Sequence, residues 1–596
     1  MKIKFQYIAF ITAIAGIQTV VAQKKDENIG TEVVNVVKPY TPTVSDAFKV
    51  KETPVIEDDE NTQKKNIEYN IFSYPVASTF SPEKGRAASV EREPKEKLFS
   101  NYATLGVGNY GTVNAELFVT QELENSQYVG GMLRHLSSQG DINDVWLDNN
   151  YANTSIDLTY GSRQKEFNWN LDAGYQNQVY NWYGLPQDFL LELTPDLNTG
   201  EYIADIDPKQ TYNTAYVGGR VGVEDSFFHE ASLQYKRFWD GYDSAENRFF
   251  VTPSFDVDVM DEKIKVDVVA DYVGGTFDNT YVSQSAFLLG EENKYSNFNL
   301  GIQPSLLYNA DDFAVQLGVG LFYSMQKQND NSDNKIYVYP QVKASYKVVN
   351  DLMIAYAGAE GTLQQNSYAD FVGQNPFVAP SLYITPTDQK YDVYVGLKGK
   401  LASTVAYNIR GSYKNEDNRA MFLHNSFLLI DPAPNFGNAN SFGVVYDNLK
   451  TVSFFGELKA DFSDKVTGGI NAEFNSYTTD VEAEAWNLPQ IKVGANLEVD
   501  ITEKWYAGTN VFFVGERKGL NPTTDSLPPD DILIRQQTVT LDSYFDVNAH
   551  VGYKYNERLS GFVRLNNILG QNYDRWVNYQ VQGFQFMVGA SYKFNF

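Results

Sequence analysis

The sequence predicts an all-β fold, a transmembrane antiparallel β-barrel of about 22 strands. Three observations carry this. From Leu98 to Phe596 apolar and polar residues alternate with period two, the spacing that sets one group of side chains on each face of a strand. The stretches joining the alternating segments are short and long in turn, as in barrels with tight periplasmic turns and long outer loops. Strand ends carry aromatics, for example Trp505, Tyr506, Tyr553, Tyr555, Trp576 and Tyr579, which suit the two membrane interfaces.

Composition narrows the chemistry. With Cys 0 among 596 residues, disulfide frameworks, thiolate nucleophiles, Cys-ligated zinc and iron–sulfur clusters are excluded. Asp+Glu 75 against Lys+Arg 48 argues against a nucleic-acid partner, because phosphate binding needs a basic face. No stretch after the N-terminus approaches the roughly 20 apolar residues of a spanning helix.

The chain divides into three parts. Residues 1–22 read as a signal peptide: Lys2 and Lys4 precede an apolar run from Ile8 to Val21, and Val20-Val21-Ala22 precedes the expected cleavage before Gln23. Losing the two lysines takes the net charge from -27 to -29. Residues 23–97 form an extended N-terminal segment, periplasmic or lumenal, without a globular plug. They contain Glu57-Asp58-Asp59-Glu60, prolines at 39, 42, 54, 75, 82 and 94, and no helix–sheet rhythm. Residues 98–596 form the barrel.

Strands are expected at 98–107, 112–122, 127–138, 151–161, 166–177, 210–223, 229–238, 248–259, 264–275, 294–308 and 313–325. The pattern continues at 334–347, 352–363, 389–400, 404–414, 449–462, 466–478, 487–500, 505–516, 537–554, 559–571 and 582–596. An even number returns both ends to the periplasmic side. Tight turns fall at Asn309-Ala310-Asp311-Asp312, Ser463-Asp464-Lys465 and Tyr555-Asn556-Glu557-Arg558, with Asn, Asp or Ser where a turn needs them. Long loops are expected at 178–209, 276–293, 364–388, 415–448 and 517–536. Many segments are long enough for a tilted crossing of the hydrocarbon, and their polar faces carry Asp, Glu, Lys, Asn and Gly, suited to a wet lumen. The candidate lumen-facing residues are Asp546, Asn548 and His550 on one strand and Glu457, Lys459 and Asp461 on another.

The barrel resembles that of the TonB-dependent receptor family. The likeness is closest at Tyr544-Phe545-Asp546-Val547-Asn548, at Val563-Arg564-Leu565-Asn566-Asn567-Ile568-Leu569-Gly570-Gln571-Asn572-Tyr573, and from Gly583-Phe584 to Phe596. It implies a 22-strand wall over about 98–596, the lipid bilayer of a Gram-negative outer membrane as surroundings, and the barrel-assembly machinery as a partner. Tyr592, Phe594 and Phe596 resemble the C-terminal signal read by that machinery. Family members carry a plug ahead of the wall, and the 75 residues at 23–97 depart from that pattern. Thr31, Glu32, Val33, Val34, Asn35, Val36 and Val37 resemble the TonB box, a strand that pairs with the energy-transducing protein. An edge strand or a docking motif for another partner fits the same residues, and Asp46-Ala47-Phe48-Lys49-Val50 is an equal candidate for a docking peptide.

The resemblance implies transport or uptake across the outer membrane. The alternative is an accessory barrel in a multiprotein complex for secretion, barrel assembly or nutrient capture, whose partners occlude the lumen. A lumen this wide needs an occluder: a separate plugging, periplasmic or surface protein, the N-terminal segment, or inward-folded loops.

Enzyme chemistry is not expected. The four histidines, His135, His229, His424 and His550, have no ligand spacing. Gly106 to Gly111 reads as a hairpin with no helix after it. No cofactor is expected. Asp188, Glu192, Asp196, Glu201, Asp205 and Asp207 are the candidates for loop-bound Ca²⁺, with solvated charge the plainer reading. Trp182, Tyr183, Phe371, Phe377 and Tyr383 suit stacking on sugars or a partner, and suit girdle and loop packing better.

Overall fold

The computed structural model describes residues 98–596 apart from 194–202, 225, 260–261, 279, 284–285, 289–291, 429–433 and 528–530. The signal peptide, the 23–97 segment and the TonB-box-like Thr31–Val37 lie outside the described residues.

The wall strands are β1 Asn101–Gly108, β2 Val113–Glu122, β3 Gln127–Ser138, β4 Tyr151–Arg163, β5 Phe167–Asn181, β6 Lys209–Val223, β7 Phe228–Asp240, β8 Ala245–Val259, β9 Glu262–Phe277, β10 Asn293–Asn309 and β11 Phe313–Gln328. They continue as β12 Asn331–Val349, β13 Met353–Gln364, β14 Thr387–Ala402, β15 Val405–His424, β16 Phe442–Ser463, β17 Val466–Thr479, β18 Ile491–Asp500, β19 Trp505–Val514, β20 Tyr544–Lys554, β21 Leu559–Asn566 and β22 Gln585–Phe594. All belong to one 22-stranded sheet. It closes through an antiparallel ladder between β1 and β22, from Asn101↔Phe594 to Gly108↔Met587. Closure pairs every strand on both sides and removes the edges that would otherwise invite aggregation.

The even-to-odd connections are tight, as at 310–312 and 464–465, and the odd-to-even ones hold the long excursions. Crossing the hydrocarbon takes about 9–11 tilted residues. The 20 residues of β15 and the 22 of β16 therefore rise well beyond the bilayer at the long-loop end.

Three expectations are corrected here. Half of the expected loop 415–448 is a continuation of β15, to His424, and of β16, from Phe442. The expected loop 517–536 is instead a β-hairpin, Arg517–Leu527 against Asp531–Leu541. The expected strand 537–554 is two elements, the second arm of that hairpin and β20, separated by Asp542-Ser543. Alternation reports which face a residue occupies and is blind to its partner strand, so it runs through such a break.

The two faces of the wall differ in chemistry. On β11, Leu317, Val319, Leu321, Tyr323 and Met325 are exposed on one face, while Phe322 and Ser324 on the other are buried. Phe454 is 61% and Phe462 71% exposed on β16, and Leu158 and Leu171 on β4 and β5 are also exposed. Such a continuous apolar belt is covered by lipid. The largest buried apolar cluster lies elsewhere, where the long connections meet.

Candidate functional site: a segment folded into the outer mouth

The β13–β14 connection, residues 365–386, contains the helix α1, Tyr368–Gln374, which Ser367 starts by accepting a hydrogen bond from the Asp370 N–H at 3.1 Å. Below it the wall is intact, because Gln364 and Thr387 are register partners in the β13–β14 ladder.

This segment touches strands far apart on the wall. The Tyr212 hydroxyl on β6 donates to the Pro376 carbonyl at 2.7 Å. Tyr368 packs edge-on against Phe238 of β7 and Phe277 of β9. Asn297 of β10 donates to the Ile384 carbonyl at 3.0 Å, and Thr385 donates to Gln326 of β11 at 2.9 Å. Phe371 meets Phe422 of β15, and the Phe377 carbonyl accepts from the Phe442 N–H of β16 at 2.9 Å. One short segment reaches β6 through β16 of a closed barrel only from inside. That placement also makes the opposite, apolar face the outer one.

A charged seat holds the helix. Glu246 on β8, 1% exposed, accepts from the Tyr368 N–H at 2.6 Å, the Ala369 N–H at 3.2 Å and the Tyr295 hydroxyl at 2.5 Å. The Tyr368 hydroxyl donates to Asp240 at 2.7 Å. Arg248 bridges Asp271 of β9 at 2.6 Å and Asp370 of α1 at 2.8 Å. Asp240, the last residue of β7 at the outer end, is pushed up to about 6 by burial, against hydrogen bonds that favour its charged form.

Three other connections meet the segment over the mouth. Phe377 stacks on Tyr579 of the β21–β22 connection at 3.6 Å and lies edge-on to Tyr183 of the β5–β6 connection. Asn440 of the β15–β16 connection donates to the Trp182 carbonyl at 3.1 Å and accepts from the Tyr579 hydroxyl. Gly184 is required here: a Cβ would lie 2.4 Å from the Tyr579 ring. Burial raises the Tyr183 and Tyr579 hydroxyls well above the ordinary phenol range, so both are neutral donors. Beside this cluster opens a cavity of ≈ 470 Å³, lined by Asp144, Tyr183, Asp188, Glu192 and Asp574 among others.

The sequence-predicted residues fall as follows. Asp546, Asn548 and His550 stand on the face of β20 opposite the exposed Phe545 and Val551. His550 Nε2 is 3.3 Å from Glu498, and Asn548 accepts from the Asn567 N–H at 3.1 Å. Glu457 and Lys459 pair at 2.7 Å on β16, on the face opposite Phe454, Leu458 and Phe462 and shared with Asp461. The two triads are not brought together, since β17, β18 and β19 separate them. Tyr592 and Phe594 stack on β22, and Phe594 meets Phe596 edge-on at 5.5 Å.

Trp182, Phe371 and Phe377 are buried, the packing role expected, while Tyr383 is 54% exposed. Asp196 and Glu201 lie outside the described residues, and no three acids or histidines converge as a metal site among the described ones. The seat of Asp240, Glu246 and Arg248 escaped the sequence reading. Its one signal is a serine helix start, Ser367, followed by the short apolar stretch Pro376 to Pro380, inside what is otherwise an outer loop.

No protein-family model and no curated protein sequence matches the chain. Solved structures do. The ferripyoverdine receptor of the outer membrane of Pseudomonas aeruginosa is 13% identical over 84% of this chain and 72% of its own, with a TM-score of 0.60. The FrpB iron transporter from Neisseria meningitidis is 9% identical over 84% and 81%, with a TM-score of 0.61. The barrel has the fold of TonB-dependent outer-membrane receptors. The copper transporter OprC is a further member of this receptor-type fold, at 12% identity, 84% and 82% coverage and a TM-score of 0.58. Among the described residues this receptor-type barrel holds no mixed helix–sheet domain of plug size; its helices are short pieces such as α1.

Proposed function

We propose that the protein is an outer-membrane transport barrel whose passage is closed at the outer mouth by its own connections. The observation that carries this reading is residues 365–386, which reach from β6 to β16 across the lumen above an unbroken wall. The receptor-type fold supports uptake as the direction of transport. Carboxylates around the mouth cavity and a net charge of -27 favour a cationic or metal-bearing cargo.

The TonB-box-like strand Thr31–Val37 is the proposed point of energy coupling, through main-chain pairing with a TonB-type partner. Asp546, Asn548 and His550 with Glu457, Lys459 and Asp461 are proposed to line the path below the mouth.

Uptake of a panel of metal ions and iron chelates is compared between cells with the intact gene, cells lacking it, and cells carrying a deletion of residues 31–37. The expected result is at least one cargo whose accumulation falls about tenfold in both mutants. Unchanged uptake across the panel, together with a stoichiometric protein co-purifying from native membranes, would establish instead the accessory barrel of a larger complex. The absence of a plug-sized domain among the described residues favours that second reading.

A further inference from the structure

We infer that residues 365–386 are a displaceable gate, seated by Glu246, so that the barrel opens without any change in its wall. The inference goes beyond the transport reading and stands whichever function holds, because it concerns the lumen alone.

Four observations point to displacement as one body. The segment leaves and rejoins the wall at one place, the register partners Gln364 and Thr387, and therefore swings on a single attachment. The β13–β14 ladder beneath runs on to Ile354↔Lys398 and owes the segment nothing. Its described main-chain bonds to the wall are two, both to Phe442, which accepts from the Ala379 N–H at 2.8 Å and donates to the Phe377 carbonyl. The remaining described hydrogen bonds to the wall run through side chains such as Glu246, Asp240, Arg248, Asn297 and Tyr212, which separate without unzipping a strand.

The chemistry of the seat fits two states. Asp240, Glu246, Arg248, Asp271 and Asn297 line it, groups that water solvates once the segment leaves. A wholly apolar seat would oppose opening. Closure is favoured by the buried rings of Tyr368, Phe371 and Phe377 against Phe238, Phe422 and Tyr579. Glu246 is the seating residue because it satisfies two backbone N–H groups of the segment and one wall hydroxyl at once. Removing it leaves those donors without a partner in the closed state and not in the open one.

The test is single-channel conductance of the full chain in planar bilayers, with heat-modifiable gel mobility reporting that each variant is folded. Wild type is expected to stay closed with rare openings. A variant in which Asn-Gly replaces residues 365–386, joining the partners Gln364 and Thr387 by a two-residue turn, is expected to carry a steady current at least tenfold larger. Glu246→Ala is expected to raise open time about tenfold, and Tyr295→Phe much less.

The chain has Cys 0, so a pair of cysteines tests movement directly. Val378 and Phe442 are bridge partners, and Val378→Cys with Phe442→Cys is expected to open when reduced and to stay shut when oxidised. Three results would overturn the inference. They are a steady wild-type current equal to that of the turn variant, a folded turn variant that stays closed, and openings of the cysteine pair that ignore oxidation. If the turn variant does not fold, the cysteine pair alone decides.

Discussion

His424 ends β15, 20 residues from the inner turn, so it sits above the bilayer, 1% exposed and edge-on to Phe442 at 5.1 Å. Burial lowers its pKa from 6.5 to about 3, so the folded mouth holds it neutral. The sign follows from proton binding. Below pH 6.5 the unfolded mouth takes up a proton that the folded one refuses until about pH 3. This contribution is complete above pH 6.5 and is lost as pH falls, by about 1.4 kcal/mol at pH 5.5. Asp240, raised to about 6, acts in the opposite direction, favouring the folded mouth below that pH. The His424 share is thus the difference between wild type and His424→Phe. Hydrogen exchange at residues 434–441 is expected to quicken between pH 7 and 5.5 in wild type, relative to the variant. Equal acceleration in both would remove His424 as the cause.

At the scale of elements, the Arg517–Leu541 hairpin stands on a wall that is already complete, since Val514 of β19 pairs with Tyr544 of β20 beneath it. Its work is local. Arg517 donates to the carbonyls of Arg575 and Asp574, and Leu541 joins the mouth cluster beside Val577 and Tyr579. Deleting Arg517–Leu541 leaves Gly515-Glu516-Asp542-Ser543 as a four-residue loop, a length hairpins accept. The shortened protein is expected to keep its heat-modifiable barrel and to exchange faster at 571–582. Loss of the folded gel band would show the hairpin to be part of the wall's stability.

Across the whole molecule, the decisive asymmetry is between the two faces of the wall. Leu317 is 53% exposed on the lipid side as the fifth residue of β11 from the inner turn, near the middle of a crossing of about 9–11 residues, and its neighbour Gln316 points the other way. Leu317→Lys is expected to destabilise the barrel by about 2–4 kcal/mol in denaturant unfolding from lipid vesicles. Gln316→Lys is expected to change it by under about 0.5 kcal/mol. Similar costs at both positions would reverse the assignment of inside and outside.

Period-two alternation determined which residues share a face, because a strand's pleat ties side-chain direction to sequence parity, and together with the alternating short and long connections and the aromatic strand ends it pointed to a barrel of about 22 strands. The short turns determined which end is which. Only the tertiary structure decided that residues 365–386 enter the lumen, that Glu246 and Arg248 receive them, and that four connections meet at Phe377, Tyr579 and Asn440. Parity carries no information about partners hundreds of residues away. Glu246 and Tyr368 are 122 positions apart, and closing the wall is what brings them within one hydrogen bond.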